Sequence, residues 1–120
     1  MQIRPQQMET FSNVSQFSFE HRMEAHLRRC SPEECRKLGS DGLRETIRYG
    51  IERAKNYGIV LERDVCKYID VMFAFGHEFD SDPELPWASG ILTDESISDA
   101  TNRTERLFET AKLHSWRPLV

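Results

Sequence analysis

The chain has 120 residues and a mass of 14.1 kDa, the size of a single domain. Sixteen Lys and Arg against twenty Asp and Glu give a formal net charge of −4, which disfavours nucleic-acid binding because phosphates require a basic surface. No apolar run approaches the ~20 residues of a membrane-spanning helix, and the three cysteines lack the paired spacing of a disulfide framework.

The N-terminal segment is predicted to form one amphipathic helix of about 24 residues. Pro5 suits a first helical turn, where its missing N–H is no loss. Apolar residues then recur mostly at three- and four-residue steps, which places them on one face. These residues are Met8, Phe11, Val14, Phe17, Met23 and Leu27.

Two further helices are predicted between residues 31 and 58. Ser31 followed by Pro32 and Glu34 has the pattern of a capping box, which starts a short helix that should stop at Gly39. A longer helix then begins at Ser40-Asp41 and ends near Gly58. Its apolar face is Leu43, Ile47, Ile51 and Ala54. Gly50 lies inside this helix, and a close helix–helix crossing would explain a glycine there.

The second half of the chain is predicted to contain the most buried helix. It begins at Glu62-Arg63-Asp64 and stops at Gly76. The two acids in its first turn interact favourably with the positive end of the helix dipole. Its apolar positions are Val65, Tyr68, Ile69, Met72, Phe73 and Phe75. The polar stretch from His77 to Pro86 should be mostly loop because it contains two prolines.

Two C-terminal helices complete the prediction. Pro86-Trp87 is predicted to open a short helix that extends to Leu92. A last helix is predicted to be capped by Ser98 or Asp99 and cannot pass Pro118. The inward residues of the last helix should be Ala100, Leu107, Phe108 and Ala111. The sequence therefore predicts an all-α fold over residues 1–120, a single-domain bundle of five to six helices with one acidic loop that contains Pro and Trp.

Sequence motifs for catalysis or metal binding are few. His21 and His26 lie five residues apart, which turns their rings roughly 140° from each other on a helix. Cys30 and Cys35 have no second pair that would complete a zinc site. The string from Asp80 to Glu84 resembles a calcium loop, but the sixth and twelfth positions hold Leu85 and Ile91 instead of Gly and Glu. We expect no catalytic residues, no metal and no cofactor.

Acidic residues concentrate in one interval of the chain. Residues 1–60 carry ten Lys or Arg and eight Asp or Glu, whereas residues 61–120 carry six and twelve. No Lys or Arg lies between Lys67 and Arg103. Such an interval is either a solvated acidic loop or a negative surface that selects a basic partner.

The segment from Phe79 to Trp87 is the predicted partner-binding site, because it combines acids with aromatic and apolar side chains. The residues are Phe79, Asp80, Asp82, Glu84, Leu85 and Trp87. In the alternative interpretation, Phe79, Leu85 and Trp87 fold back and fix the loop on the helices. The Phe-rich first helix is a second candidate surface: it is either core or a face that could pair with a partner or a second copy of the chain.

The central block carries a family resemblance. It includes Arg48-Tyr49-Gly50-Ile51-Glu52-Arg53, Glu62-Arg63-Asp64-Val65 and, as its most specific string, Gly76-x-x-Phe79-Asp80-x-Asp82-Pro83-x-Leu85-Pro86-Trp87-Ala88. Over roughly residues 43–110 the chain resembles small bacterial proteins encoded beside type VI secretion spike and effector genes. The genes of these small proteins commonly lie near the genes of spike-tip proteins and effector-loading adaptors.

The resemblance implies a cytoplasmic accessory role without enzymatic activity. The expected partner is a protein: an effector, its loading adaptor or a spike component, which the chain would bind as a co-chaperone or adaptor. Residues 1–7 are not followed by the apolar region of a signal peptide, which agrees with that location. An immunity protein that neutralises a toxin with a basic cleft is the alternative function, and a small enzyme or regulator is the third.

Overall fold

The computed structural model describes residues 13–114, which form five α-helices and no strand. The helices are α1 (Asn13–Cys30), α2 (Pro32–Asn56), α3 (Glu62–Phe75), α4 (Pro86–Leu92) and α5 (Ala100–Leu113), and a 3₁₀ turn at Phe79–Ser81 precedes α4. The all-α prediction is therefore confirmed. Among the described helices, none is both long and apolar enough to cross a lipid bilayer.

The core lies where α1, α2 and α3 meet, and α5 extends it on the other side of α3. α3 is the central helix: it packs against α1, α2, α5 and the 3₁₀ turn. Five of its apolar side chains are buried, namely Val65, Tyr68, Ile69, Val71 and Met72. The short α4 rests on α5 and on the 3₁₀ turn. The prediction that α3 is the most buried helix agrees with this arrangement.

α2 changes direction at Gly39, where the short predicted helix was expected to stop. Gly39 has a φ of 74°, a left-handed conformation that glycine adopts without steric cost. The Gly39 backbone is non-helical, so α2 consists of two helical segments on either side of this kink, as the sequence predicted. The capping-box prediction was wrong, since the Ser31 side chain makes no cap hydrogen bond; its backbone N–H instead donates to the Leu27 carbonyl at 2.7 Å.

Gly50 lies at the crossing of α2 and α3, as the sequence predicted. A Cβ atom at this position would lie 2.8 Å from Cγ1 of Ile69 and 3.1 Å from Cε of Met72. Such distances are shorter than ordinary van der Waals contacts. The missing side chain therefore lets the two helices approach each other closely.

The face that α1 turns to the core differs from the predicted one at one residue. Phe19, Met23 and Leu27 are buried at steps of four, whereas Phe17 is 63% exposed. The prediction of an inward Phe17 was wrong because residues 17 and 19 lie about 200° apart on a helix. The predicted start at Pro5 and the side chains of Met8, Phe11 and Val14 lie outside what the structure describes.

The remaining helix ends agree with the sequence. Gly58, two residues after α2, and Gly76, directly after α3, both have positive φ values, 78° and 115°. The Asp99 side chain caps α5 by accepting a hydrogen bond from the Thr101 N–H at 3.3 Å. In α5, Leu107 and Ala111 are buried, and Ala100 and Phe108 are partly buried against the core. The tail around Pro118 lies outside the described residues.

Candidate functional site

Asp80, predicted to bind a partner, lies inside the protein. Its carboxylate is fully buried and accepts hydrogen bonds from the Arg53 guanidinium, with Nη2 2.6 Å from both oxygens and Nε 3.0 Å from Oδ2. The hydroxyls of Tyr57 and Tyr68 donate to the same Oδ2 at 2.9 and 3.1 Å. The acid therefore anchors the loop to α2 and α3.

The electrostatics of this network favour the ionised acid. Burial raises the pKa of Asp80, but the hydrogen bonds from Arg53, Tyr57 and Tyr68 outweigh burial and leave the pKa below its usual value. Burial and the hydrogen bond to Asp80 raise the pKa of Tyr57 to about 12. Both tyrosines thus remain neutral donors, and the network holds one negative and one positive charge.

The other predicted binding residues divide between the interior and the surface. Phe79 is buried, with its ring centroid 5.0 Å from that of Tyr68. Asp82 is partly exposed and accepts from the Glu84 N–H at 2.9 Å, which closes a turn, and the Glu84 side chain is exposed. Leu85 is partly buried against the core.

Trp87 is partly buried between two aromatic rings. Its ring stacks on His114, with the centroids 4.7 Å apart, and meets Phe75 edge-on at 5.3 Å. Trp87 and Phe79 therefore fix the loop, as the alternative interpretation expects. Trp87 also retains solvent exposure beside the exposed Glu84.

The acids of the interval without Lys or Arg fall into two groups. Asp70, Glu78 and Asp80 pair with His26 or Arg53. The second group lies in the loops before and after α4 and forms no ion pair with any residue in the range 13–114. It consists of Asp82, Glu84, Asp94, Glu95 and Asp99. A groove of about 490 Å³ lies beside the second loop, lined by Asp99, Asn102 and Arg106 among others.

A second cluster of polar side chains joins α1 to α3. His26 and Cys30 lie one turn apart on α1, and Cys66 and Asp70 lie one turn apart on α3. The His26 Nε2 atom is 2.8 Å from Oδ1 of Asp70 and 3.7 Å from Sγ of Cys30. One ligand atom from each of His26, Cys66 and Asp70 can be chosen so that all three lie within 4.8 Å of one another. We call these four residues the His26 cluster.

The thiols of the His26 cluster are protonated at neutral pH. Burial, followed by the charges of Asp70 and Cys30, raises the pKa of Cys66 to about 12. Burial also raises the pKa of Cys30, with a further contribution from Asp70. Burial raises the pKa of Asp70, while the neighbouring His26 opposes that shift. Because a thiolate is the reactive form of cysteine, neither thiol is set up as a nucleophile.

The sequence interpretation compared the wrong pairs of residues. It compared His21 with His26 and Cys30 with Cys35, but His21 is exposed against the Phe17 ring and Cys35 is buried on α2. The available signal was two separate (i, i+4) spacings, His26 to Cys30 and Cys66 to Asp70. Each places two ligand-type side chains on one helix face. That the two faces meet is a consequence of the tertiary fold.

A groove of about 450 Å³ leads to the His26 cluster. Phe19, Arg22, Met23, His26, Glu62 and Cys66 are among the residues that line it. An ion pair between Arg22 and Glu62, at 3.0 Å, lies at the same place between α1 and the start of α3. The cluster is therefore partly buried and yet reachable from solvent.

Comparison of the chain with protein-family models, curated proteins and solved structures found no match.

Proposed function

We propose that the protein is a non-enzymatic accessory protein that binds an effector or its loading adaptor in type VI secretion. The observation that supports this proposal best is the set of surface acids in the loops around α4, which have no ion-pair partner among residues 13–114. The resemblance of residues 43–110 to proteins encoded beside secretion genes supplies the biological context. The partner surface should be basic.

Charge and apolar contact would have separate roles in such an interface. Exposed acids of one sign accelerate encounter with a basic surface and reject acidic ones. Trp87 and Leu85 lie among these acids and are only partly buried, so a partner could cover their remaining exposed area. Aromatic residues surrounded by polar ones are typical of the centres of protein interfaces.

The chemistry of the described residues favours binding over catalysis. Asp80 is committed to the fold, because its carboxylate oxygens accept five hydrogen bonds from Arg53, Tyr57 and Tyr68. The Cys30 and Cys66 thiols have raised pKa values and are therefore poor nucleophiles.

Co-purification with genomic neighbours tests the proposal. The chain would be co-expressed with each neighbouring product, and the retained neighbour would be titrated against wild type and the Glu84→Lys/Glu95→Lys variant. We expect the double variant to bind at least tenfold more weakly, and wild-type binding to weaken as salt is added. Asp80 is left unchanged because its substitution would disturb the fold.

The matched control carries the same change in net charge at exposed acids of α2, as Glu45→Lys/Glu52→Lys. It should bind like wild type, and both variants should keep the wild-type helical circular dichroism. Equal binding by all three proteins would reject the acidic surface as the binding site. Rescue of growth against the neighbouring toxin, in cells without the secretion machinery, would instead favour the immunity function.

A further inference from the structure

We propose that the His26 cluster binds one divalent transition-metal ion, with Zn²⁺ as the best fit, through His26, Cys30, Cys66 and Asp70. The proposal goes beyond the proposed partner binding and does not depend on it. It also departs from the sequence prediction that the chain has no metal site.

The donor set is the first argument. Two thiolates and an imidazole are the ligands that structural zinc sites use most, and a carboxylate is an accepted oxygen ligand. The same set excludes Ca²⁺ and Mg²⁺ as good occupants, since these ions require mostly oxygen ligands. Four protein donors fill a tetrahedral coordination sphere, which is typical of a structural zinc site and leaves no open position for substrate.

The distances are the second argument. Tetrahedral Zn²⁺ bonds of about 2.0–2.3 Å place neighbouring ligand atoms roughly 3.3–3.8 Å apart. The Cys30 Sγ atom already lies 3.7 Å from His26 Nε2, and the ligand atoms of His26, Cys66 and Asp70 lie within 4.8 Å. The ligand atoms of His26, Cys66 and Asp70 therefore require side-chain shifts of about 1 Å, which rotamer adjustments supply without moving the helices. Cys30 Sγ lies outside this group and is almost equally far from Nε2 and Nδ1 of His26, at 3.7 and 3.8 Å, so its side chain must rotate further to bind the ion. The 2.8 Å hydrogen bond between His26 and Asp70 would open to admit the ion.

The placement on helices is the third argument. Each helix contributes two ligands at positions i and i+4, which lie on one face one turn apart. Two such pairs on packed helices form a four-ligand site without any loop residue, so the backbone holds the ligands in place. The ion would join α1 to α3 and so stabilise the bundle, because it binds the folded chain better than the unfolded one.

The protonation states of the Cys30 and Cys66 thiols determine how metal binding depends on pH. Both thiols must lose a proton on binding, so binding should release protons and weaken at low pH. The positive ion would replace those protons, and its charge would remove the penalty of two thiolates close to Asp70. The groove of about 450 Å³ lined by Phe19, Met23 and Cys66 gives the ion an entry path.

Titration of the full-length chain with Co²⁺ in the presence of a non-thiol reductant tests the site. We expect one Co²⁺ per chain, with the absorption bands of a tetrahedral ion and of thiolate-to-cobalt charge transfer. Zn²⁺ added afterwards should displace Co²⁺ and abolish the bands. Zn²⁺ alone should raise the thermal unfolding midpoint of the wild-type protein.

Single substitutions identify the ligands. Cys30→Ala, Cys66→Ala, His26→Gln and Asp70→Asn should each weaken Co²⁺ binding at least tenfold, and each cysteine variant should lose about half of the charge-transfer intensity. Cys35→Ala and His21→Gln are matched controls that remove the same residue types elsewhere, and both should bind like wild type. Circular dichroism of each metal-free variant establishes that it is folded before titration.

Two results would overturn the proposal. The first is wild-type protein that shows no thiolate-to-cobalt charge transfer at one equivalent of Co²⁺. The second is binding that survives in folded His26→Gln and Cys66→Ala proteins as well as in the controls, which would locate the ion elsewhere. If the Cys66→Ala chain does not fold, the His26→Gln variant decides the outcome. The wild-type His26 side chain is about a quarter exposed, so replacing it disturbs the core less.

Discussion

Arg53 and Asp80 form a bidentate ion pair in which the acid side chain is fully buried and the Arg53 side chain is 27% exposed. Arg53 belongs to the last turns of α2, and Asp80 to the 3₁₀ turn before α4, so the pair joins elements that are far apart in sequence. Tyr57 and Tyr68 complete the hydrogen bonding of the carboxylate. The segment with the most acids is thus fixed to the core by one of them.

Removing the charge of Asp80 should destabilise the fold. In Asp80→Asn, Arg53 loses its buried carboxylate partner and keeps only the 3.4 Å contact with the exposed Glu78, and breaking one side of a buried pair typically costs several kcal/mol. We expect the free energy of unfolding to fall by roughly 3 kcal/mol, measured by urea denaturation. Glu84→Gln, an exposed acid in the same segment, should change it by less than about 0.5 kcal/mol. Equal effects of the two substitutions would contradict the role of the pair.

The same pair predicts the pH dependence of stability. Because the pKa of Asp80 is lower in the folded than in the unfolded chain, its contribution is complete above the unfolded pKa of about 3.9 and is lost as pH falls toward the folded pKa. The stability difference between wild type and Asp80→Asn should therefore stay constant from about pH 5 to 7 and shrink below about pH 4. Urea unfolding of both proteins at each pH measures it, and a difference that persists unchanged to about pH 3 would argue against this linkage.

The features that sequence reasoning found are those set by neighbouring residues. Gly58 and Gly76 end helices because their positive φ values suit glycine, and the helix from Pro86 to Leu92 was predicted with its observed bounds. The heptad-like spacing of α3 identified Ile69 and Met72 as core. Local signals of this kind require no knowledge of what lies across the fold.

The features that it missed depend on contacts between distant residues. The sequence neighbours of Asp80 are typical of an exposed loop. Only the contact with Arg53, which the fold brings close, shows that Asp80 is buried. His26 has one ligand-type neighbour on its own helix, Cys30, whereas Cys66 and Asp70 lie about forty positions away on α3. A single sequence contains each half of such a site but not the information that the halves meet.

Replacing Gly50 with alanine should lower the stability of the protein, although alanine usually stabilises a helix relative to glycine. Alanine normally stabilises a helix by about 1 kcal/mol relative to glycine, but at position 50 its Cβ would meet Ile69 at 2.8 Å. Gly50→Ala should therefore destabilise the protein by about 1–3 kcal/mol, measured by chemical denaturation. Gly42→Ala on the same helix meets only Leu38, at 3.4 Å, and should be neutral or stabilising. A stabilised Gly50→Ala protein would mean that α2 and α3 are not so close.

Two phenylalanines of α1 provide the sharpest test of which face of that helix is core. Phe19 is 3% exposed and packs into the core, so Phe19→Ala should lower the free energy of unfolding by about 3 kcal/mol. Phe17 is 63% exposed and contacts the His21 ring, so Phe17→Ala should change it by less than about 0.5 kcal/mol. Both variants delete the same atoms, so thermal or urea unfolding compares burial alone. A larger loss from Phe17→Ala would show that its face is covered, either by the rest of the chain or by a second copy of it.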